Sequence, residues 1–308
     1  MRVKFQFVVP VIVVGLLAGC APAADGGPTS TSTATPSAPA DALASAAQKE
    51  FTALESEHDA RVGVYAIDTG TGKQIAYRAD ARFGYASTYK ALAAAAVLAD
   101  PPAGGLDTPV AYTSDQLVTY SPITEQHIAT GMTLREIADA AVRYSDNTAG
   151  NLLFDALGGP AGFQSALQKI GDTVTRAERV EPQLNELTPG ATADTSTPRA
   201  LATDLRAYAL GSALAADGRA QLKTWLVGNT TGDKLIRSVA PSDWTVGDKT
   251  GSADHGTRND IAVLWRETGK PIVMAVLTDH TAADADTDDA LVASAAGAAL
   301  RGLGALGD

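Results

Sequence analysis

The sequence predicts an α+β fold: one antiparallel sheet flanked by N- and C-terminal helices, an all-helical lobe beside it, and a cleft between the two. Three observations lead there. Strand-like alternation appears early in the globular part and again late, the long middle section is Ala- and Leu-rich with helical spacing, and helical patterns open and close the chain.

With 308 residues, 45% hydrophobic and 19% charged, the chain can bury a globular core once its leading segment is set aside. Residues 1–19 read as a signal peptide: Arg2 and Lys4 precede an apolar run from Phe5 to Leu17. That run is shorter than the roughly 20 residues a transmembrane helix needs. It ends in Leu17-Ala18-Gly19 directly before Cys20, the one cysteine of the chain. This resembles the lipobox of bacterial lipoproteins, which implies lipidation at Cys20 and a membrane anchor; ordinary signal cleavage in the Ala-rich stretch around Ala21 and Ala23 is the alternative. A single cysteine excludes an intramolecular disulfide. Residues 20–40, nearly all Ala, Thr, Ser, Pro and Gly, read as a flexible tether.

Within the domain at 41–308, Asp41 to His58 has helical spacing, and Arg61 to Asp68 and Lys73 to Tyr77 alternate as a hairpin around Asp68-Thr69-Gly70-Thr71-Gly72. The middle section carries helices at Ala91 to Leu98, Leu134 to Tyr144, Gly162 to Ile170 and Arg199 to Leu210. Strands return at Asp243 to Gly247, Asp260 to Glu267 and Pro271 to Leu277, and Asp289 to Leu303 is a closing helix. The α/β lobe is therefore expected at 41–84 and 228–308, and the helical lobe at 85–227. No solenoid-type repeat is present.

Charge narrows the partners. Residues 1–40 hold Arg2 and Lys4 against Asp25, a net of +1, so a chain total of −11 leaves −12 on residues 41–308. An acidic domain is a poor binder of phosphate backbones, and no nucleic-acid partner is expected.

Three polar clusters stand out. Ser87 and Lys90, three apart at the head of a helical run, share one face of its first turn, placing a hydroxyl near an amine. A serine needs such a neighbour to become a nucleophile, although alone the pattern is an N-cap followed by a solvated lysine. Ser145-Asp146-Asn147 falls between two helices, where a capping turn is the plain account. Lys249-Thr250-Gly251-Ser252 ends a strand, where a surface lysine would be unremarked.

Together and in this order, the three clusters resemble those of class A β-lactamases and penicillin-binding proteins. Arg179-Val180-Glu181-Pro182-Gln183-Leu184-Asn185-Glu186 further resembles the Glu-Pro-x-Leu-Asn loop that separates the β-lactamases from the penicillin-binding proteins. The resemblance spans about residues 42–305. It implies a serine enzyme that opens penicillin- and cephalosporin-type rings through an acyl-enzyme on Ser87, with Lys90, Ser145, Glu181, Asn185 and Lys249 as catalytic residues. Glu181 would activate the deacylating water and Asn185 orient it. Whether Lys90 or Glu181 takes the serine proton during acylation stays open. Tyr120, Asn147, Thr250, Gly251, Ser252 and Arg258 would bind substrate, the backbone N–H groups of Ser87 and Ser252 would form the oxyanion hole, and Arg179 would pair with Asp194 across the loop neck. Val180 departs from the tryptophan many relatives carry, and Ala253 from a common glycine.

Two alternatives share these motifs: a penicillin-binding D,D-peptidase and a β-lactam-sensing lipoprotein without turnover. Neither requires Glu181 and Asn185. His58, His127, His255 and His280 lack zinc-ligand spacing, and no Gly-x-Ser-x-Gly surrounds Ser87, so no metal or cofactor and no α/β-hydrolase triad is expected. A monomer at the outer face of the cell membrane, partly shed, is the expected setting.

Overall fold

The computed structural model describes residues 38–306. The signal peptide at 1–19, Cys20 and the tether as far as residue 37 lie outside the described residues. The tether expected to reach residue 40 ends sooner, because α1 (Ala38–His58) already includes residues 38–40; Pro39 falls in the first turn, where a missing N–H removes no helical bond.

After α1 come β1 (Ala60–Asp68), β2 (Gln74–Tyr77) and the short β3 (Phe83–Gly84), then a 3-10 turn at Ala86–Thr88 that runs into α2 (Tyr89–Ala99). Next come β4 (Pro109–Val110), β5 (Met132–Thr133), α3 (Leu134–Arg143), α4 (Asn147–Leu157) and α5 (Gly159–Lys169). A long loop leads to β6 (Thr195–Ser196), α6 (Pro198–Ala209), α7 (Ala216–Val227) and α8 (Ile236–Val239). The chain then forms β7 (Thr245–Ala253), β8 (Thr257–Trp265), β9 (Ile272–His280) and α9 (Asp289–Leu303).

Five strands make one antiparallel sheet in the order β2-β1-β9-β8-β7, so both chain ends build it, as expected. Three late strands are longer than their sequence pattern. The polar residues from Asp248 to Ser252 interrupt the apolar alternation, yet they pair in register with β8 from Ala262 to Arg258. Lys249-Thr250-Gly251-Ser252 therefore lies inside an edge strand and not past its end.

The sheet is apolar on both faces. Val62, Val64 and Ala66 of β1 join Met274 and Val276 of β9 against Phe51 of α1 and Leu291 of α9. Tyr65, Ile67, Val273 and Ala275 face the other way, into one cluster with Leu92 of α2 and Leu205 of α6. The helical section thus uses the sheet as a wall. The boundaries drawn at 84/85 and 227/228 divide the sequence but not the core, because a strand with two buried faces belongs to both sides.

Local caps set the helix starts that matter. Thr133 and Glu136 form a reciprocal capping box on α3, Thr133 N donating to Glu136 Oε2 at 2.7 Å. Asp146 caps α4 by accepting from Ala149 N at 2.8 Å, which starts that helix at Asn147, the last residue of the expected inter-helix turn.

Candidate active site

Ser87 stands in the 3-10 turn and not in the first α-helical turn, which begins at Tyr89 and not near Ala91. Ala86 before it holds φ +46°, a left-handed conformation that is uncommon without glycine. Lys90, in the first turn of α2, keeps the expected three-residue relation: its Nζ donates to Ser87 Oγ at 2.9 Å. The same ammonium donates to the Ser145 carbonyl at 2.9 Å and to Asn147 Oδ1 at 2.5 Å, and lies 3.0 Å from Glu181 Oε1. Gly150 makes room for this side chain, since a Cβ there would sit 2.7 Å from Lys90 Cε and 2.4 Å from the Tyr89 hydroxyl. A mid-helix glycine weakens α4 by about 1 kcal/mol, and close approach of α2 is what it permits.

Glu181 is 94 residues from Ser87 in sequence, yet Ser87 Oγ donates to its Oε1 at 3.4 Å. Three contacts hold the carboxylate and its backbone. Asn185 Nδ2 donates to Oε2 at 2.6 Å, the Glu181 N–H donates to Asn151 Oδ1 at 2.8 Å, and Asn151 Nδ2 returns a bond to the Glu181 carbonyl at 2.9 Å. The loop neck is closed as expected: Arg179 Nε donates to Asp194 Oδ2 at 2.6 Å. Asp194, fully buried, also accepts from the backbone N–H groups of Glu178 and Arg179 and from the Tyr85 hydroxyl.

The opposite wall comes from the α3–α4 turn and from β7. Ser145 has φ +59°, its carbonyl bound to Lys90 and its hydroxyl accepting from Lys249 Nζ at 3.0 Å. Lys249 also donates to the Thr250 carbonyl at 2.7 Å. Gly251 crosses the start of the 3-10 turn so closely that a Cβ would lie 3.0 Å from Ala86 Cβ and 3.2 Å from Ser87 N. Thr250 Oγ1 shares a 2.6 Å bond with Thr231, and Arg258 Nη1 donates to Ser252 Oγ at 2.9 Å while its Nε holds Asp289. Tyr120, 58% exposed with φ +63°, stands at the rim. Ser145 and Tyr120, both with positive φ, thus line one cleft of about 380 Å³, and Ala86 precedes its Ser87, a concentration of backbone strain typical of functional sites.

Lys90, Lys249 and Glu181 lie beneath the cleft surface, almost fully buried. Burial pushes the Lys90 amine below its ordinary value, with Glu181 pulling the other way. Burial lowers Lys249 well below its ordinary value, Lys90 adds to that, and Asp248 and Asp260 oppose it. Both ammonium groups are thus brought nearer to release of a proton than a surface lysine.

A family model described as the beta-lactamase enzyme family matches residues 46–303. The chain belongs to that family. A β-lactamase of Amycolatopsis lactamdurans is 58% identical over 259 residues, covering 84% of this chain and 86% of that relative. A β-lactamase of Bacillus amyloliquefaciens is 56% identical over 255 residues, covering 83% of each. The crystal structure of the class A β-lactamase from Clostridium kluyveri superposes with a TM-score of 0.81 at 49% identity, covering 82% of this chain and 97% of that one. This chain is a class A β-lactam hydrolase, and antibiotic hydrolysis, with the resistance it confers, is its activity.

All fourteen site positions expected within the described residues fall in this β-lactamase cleft or on the loop that bounds it. Asn147 differs in what it touches: Oδ1 is bound to Lys90 and Nδ2 donates to the Thr119 carbonyl at 2.8 Å. Three supporting residues escaped the motifs. Asn151 brackets Glu181, Thr231 supports Thr250, and Asn229 donates to the fully buried Asp248, which Arg237 also holds. Asn151 follows Asn147 by four, on the same helix face, the one sequence signal that could have found it.

Proposed function

We propose that Ser87 is the acylated nucleophile and that Glu181, steadied by Asn185, is the base that frees it. The supporting observation is the convergence of three groups: Ser87 Oγ lies 2.9 Å from Lys90 Nζ and 3.4 Å from Glu181 Oε1, and these two partners are 3.0 Å apart. Ser87 Oγ attacks the lactam carbonyl and hands its proton to the Lys90–Glu181 pair, whose Nζ and Oε1 both lie within reach of it. The N–H groups of Ser87 and Ser252 stabilise the tetrahedral oxyanion. As the C–N bond breaks, Ser145 passes its hydroxyl proton to the lactam nitrogen and Lys249 stabilises the charge left on that oxygen. Thr250 and Arg258 address the substrate carboxylate, Lys249 adds positive potential, and Asn147 and Tyr120 face its side chain. A local field of this sign draws an anionic substrate into an acidic protein.

The proton held by the Lys90–Glu181 pair returns to Ser145, so that Glu181 is again a base; its Oε1 then takes a proton from water as the water oxygen bonds to the ester carbonyl, and that proton passes to Ser87 Oγ as the C–O bond to Ser87 breaks. Glu181→Ala should still acylate but accumulate the acyl-enzyme, with turnover down by roughly 10²–10⁴. Intact-mass spectra after mixing with a penicillin read the adduct; fast turnover without it would overturn the assignment. A chromogenic β-lactam given to the parent protein separates this reading from a peptidase or a sensor, which would release one burst.

We also propose export, lipidation at Cys20 and a membrane-attached monomer as the working form. The order charged residues, short apolar run, Leu-Ala-Gly-Cys supports it. Cys20→Ala should move activity from the membrane fraction to the medium, and unchanged fractionation would reject the anchor.

A further inference from the structure

A second cavity, of about 200 Å³, lies under the far half of the loop that carries Glu181. Its apolar wall is Leu187, Pro189, Ala191 and Ala193 from that loop. The floor is tightly made: Leu187 sits over Gly84, where a Cβ would come within 2.4 Å of its Cδ1. The other end carries two guanidinium groups, Arg61 and Arg82, with the imidazoles of His255 and His280 beside them. Among the described residues one carboxylate, Asp279, lines it, and Arg61 Nη1 already donates to that group at 3.1 Å. Arg61 lies over the Phe83 ring at 4.5 Å and gives Nη2 to the Arg82 carbonyl at 3.0 Å, leaving its Nε–H without a partner among the described residues. An apolar wall facing a fixed guanidinium with a spare donor suits a small body with one carboxylate.

Both walls lead to Asn185. Leu187 follows it by two residues, and on the other side Asp254 N donates to the Asn185 carbonyl at 3.1 Å while the next residue, His255, lines the cavity and accepts from His280 N at 2.8 Å. We propose that this cavity is a second ligand site for a small amphipathic monocarboxylate, and that its occupation slows β-lactam turnover by displacing Asn185 from Glu181. The coupling rests on the roles given above to these two residues; the binding does not.

The test uses phenylacetate, with benzylamine as its charge-reversed control, on the full chain. Phenylacetate should bind at about 1 mM, as expected of a ligand this small, and shift the backbone amides of Leu187, Gly190 and His255. Hydrolysis of a chromogenic β-lactam should fall about fivefold in kcat at saturation with kcat/KM unchanged, because deacylation and not acylation is slowed. Arg61→Ala should weaken phenylacetate about tenfold without changing kcat in its absence, and Ala191→Trp, which fills the cavity, should abolish the shifts. Three results would overturn the site: purely competitive inhibition indifferent to Ala191→Trp, equal binding of benzylamine, or no shift at those amides. Amide shifts with unchanged kcat would overturn the coupling. Failure of the Glu181 assignment is seen separately, in the acyl-enzyme experiment.

Discussion

Two lysines lie in the floor of one cleft, both fully buried, and the protein treats them differently. Lys90 has a carboxylate at 3.0 Å in Glu181, whereas Lys249 has none within salt-bridge distance among the described residues and rests on a hydroxyl, Ser145 Oγ, and a carbonyl, Thr250 O. Burial lowers the amine of each, but for Lys90 the adjacent carboxylate opposes the shift, and for Lys249 the nearby charge of Lys90 deepens it. Desolvation is common to both; the partner decides how far each moves. One lysine is equipped to exchange a proton with the serine and the other to sit as a nearby charge of adjustable strength.

The largest effect that could break this comparison is expected for Lys90→Met. It removes the partner of Ser87 and leaves Glu181 a buried, uncompensated carboxylate, so acylation should fall by roughly 10³–10⁴. Stopped-flow acylation rates read this directly, and a loss below about tenfold would show that Glu181 serves Ser87 alone. Lys249→Met should be milder, about 10² in kcat/KM with a visible rise in KM, because Ser145 keeps its place through its carbonyl. If both variants lost equally in acylation, the two lysines would be equivalent and the comparison would fail.

Stability against pH sharpens it further. Lys249 binds its proton less readily folded than unfolded, so the protein should gain stability as pH rises toward the ordinary lysine range, and Lys249→Met should flatten that gain. Asp204 of α6 gives the opposite sign away from the cleft. Burial first, then neighbouring Asp172, raises it from an ordinary 3.8 to about 9. Stability tied to its proton is full below about pH 4 and is lost as pH climbs through 9. The Oδ2 atoms of Asp204 and Asp172 are both buried without a hydrogen-bond partner among the described residues, so keeping its proton spares Asp204 a bare buried charge. Asp204→Asn, whose amide replaces that proton, should raise the melting temperature at pH 9 by several degrees and change it little at pH 5. A loss at pH 9 would reject an Asp204 carboxyl that stays protonated well above its ordinary range.

Much of the site was legible from spacing. Ser87 and Lys90 sit one helical turn apart, and that local relation survived the change from an α-helical to a 3-10 turn. Glu181 and Asn185, four apart, likewise kept to one another. The strand ends were not legible: Asp248 and Lys249 look like a break in alternation, and only pairing with β8 and the bonds from Arg237 and Asn229 make them interior. Asn151, Thr231 and Asn229 were missed for a related reason, since each acts by touching a group from another part of the chain.

By itself the sequence determined what recurs at short range: element types, the caps at Thr133 and Asp146, and the chemical inventory of serine, lysine and carboxylate. The tertiary structure alone decided that Glu181 meets Ser87 across 94 residues, that a sheet with two apolar faces joins both cores, and that two identical lysines acquire unlike partners. The physical reason is that periodicity and capping are set by residues a turn apart, whereas desolvation and charge pairing depend on whatever the folded chain brings within a few ångströms.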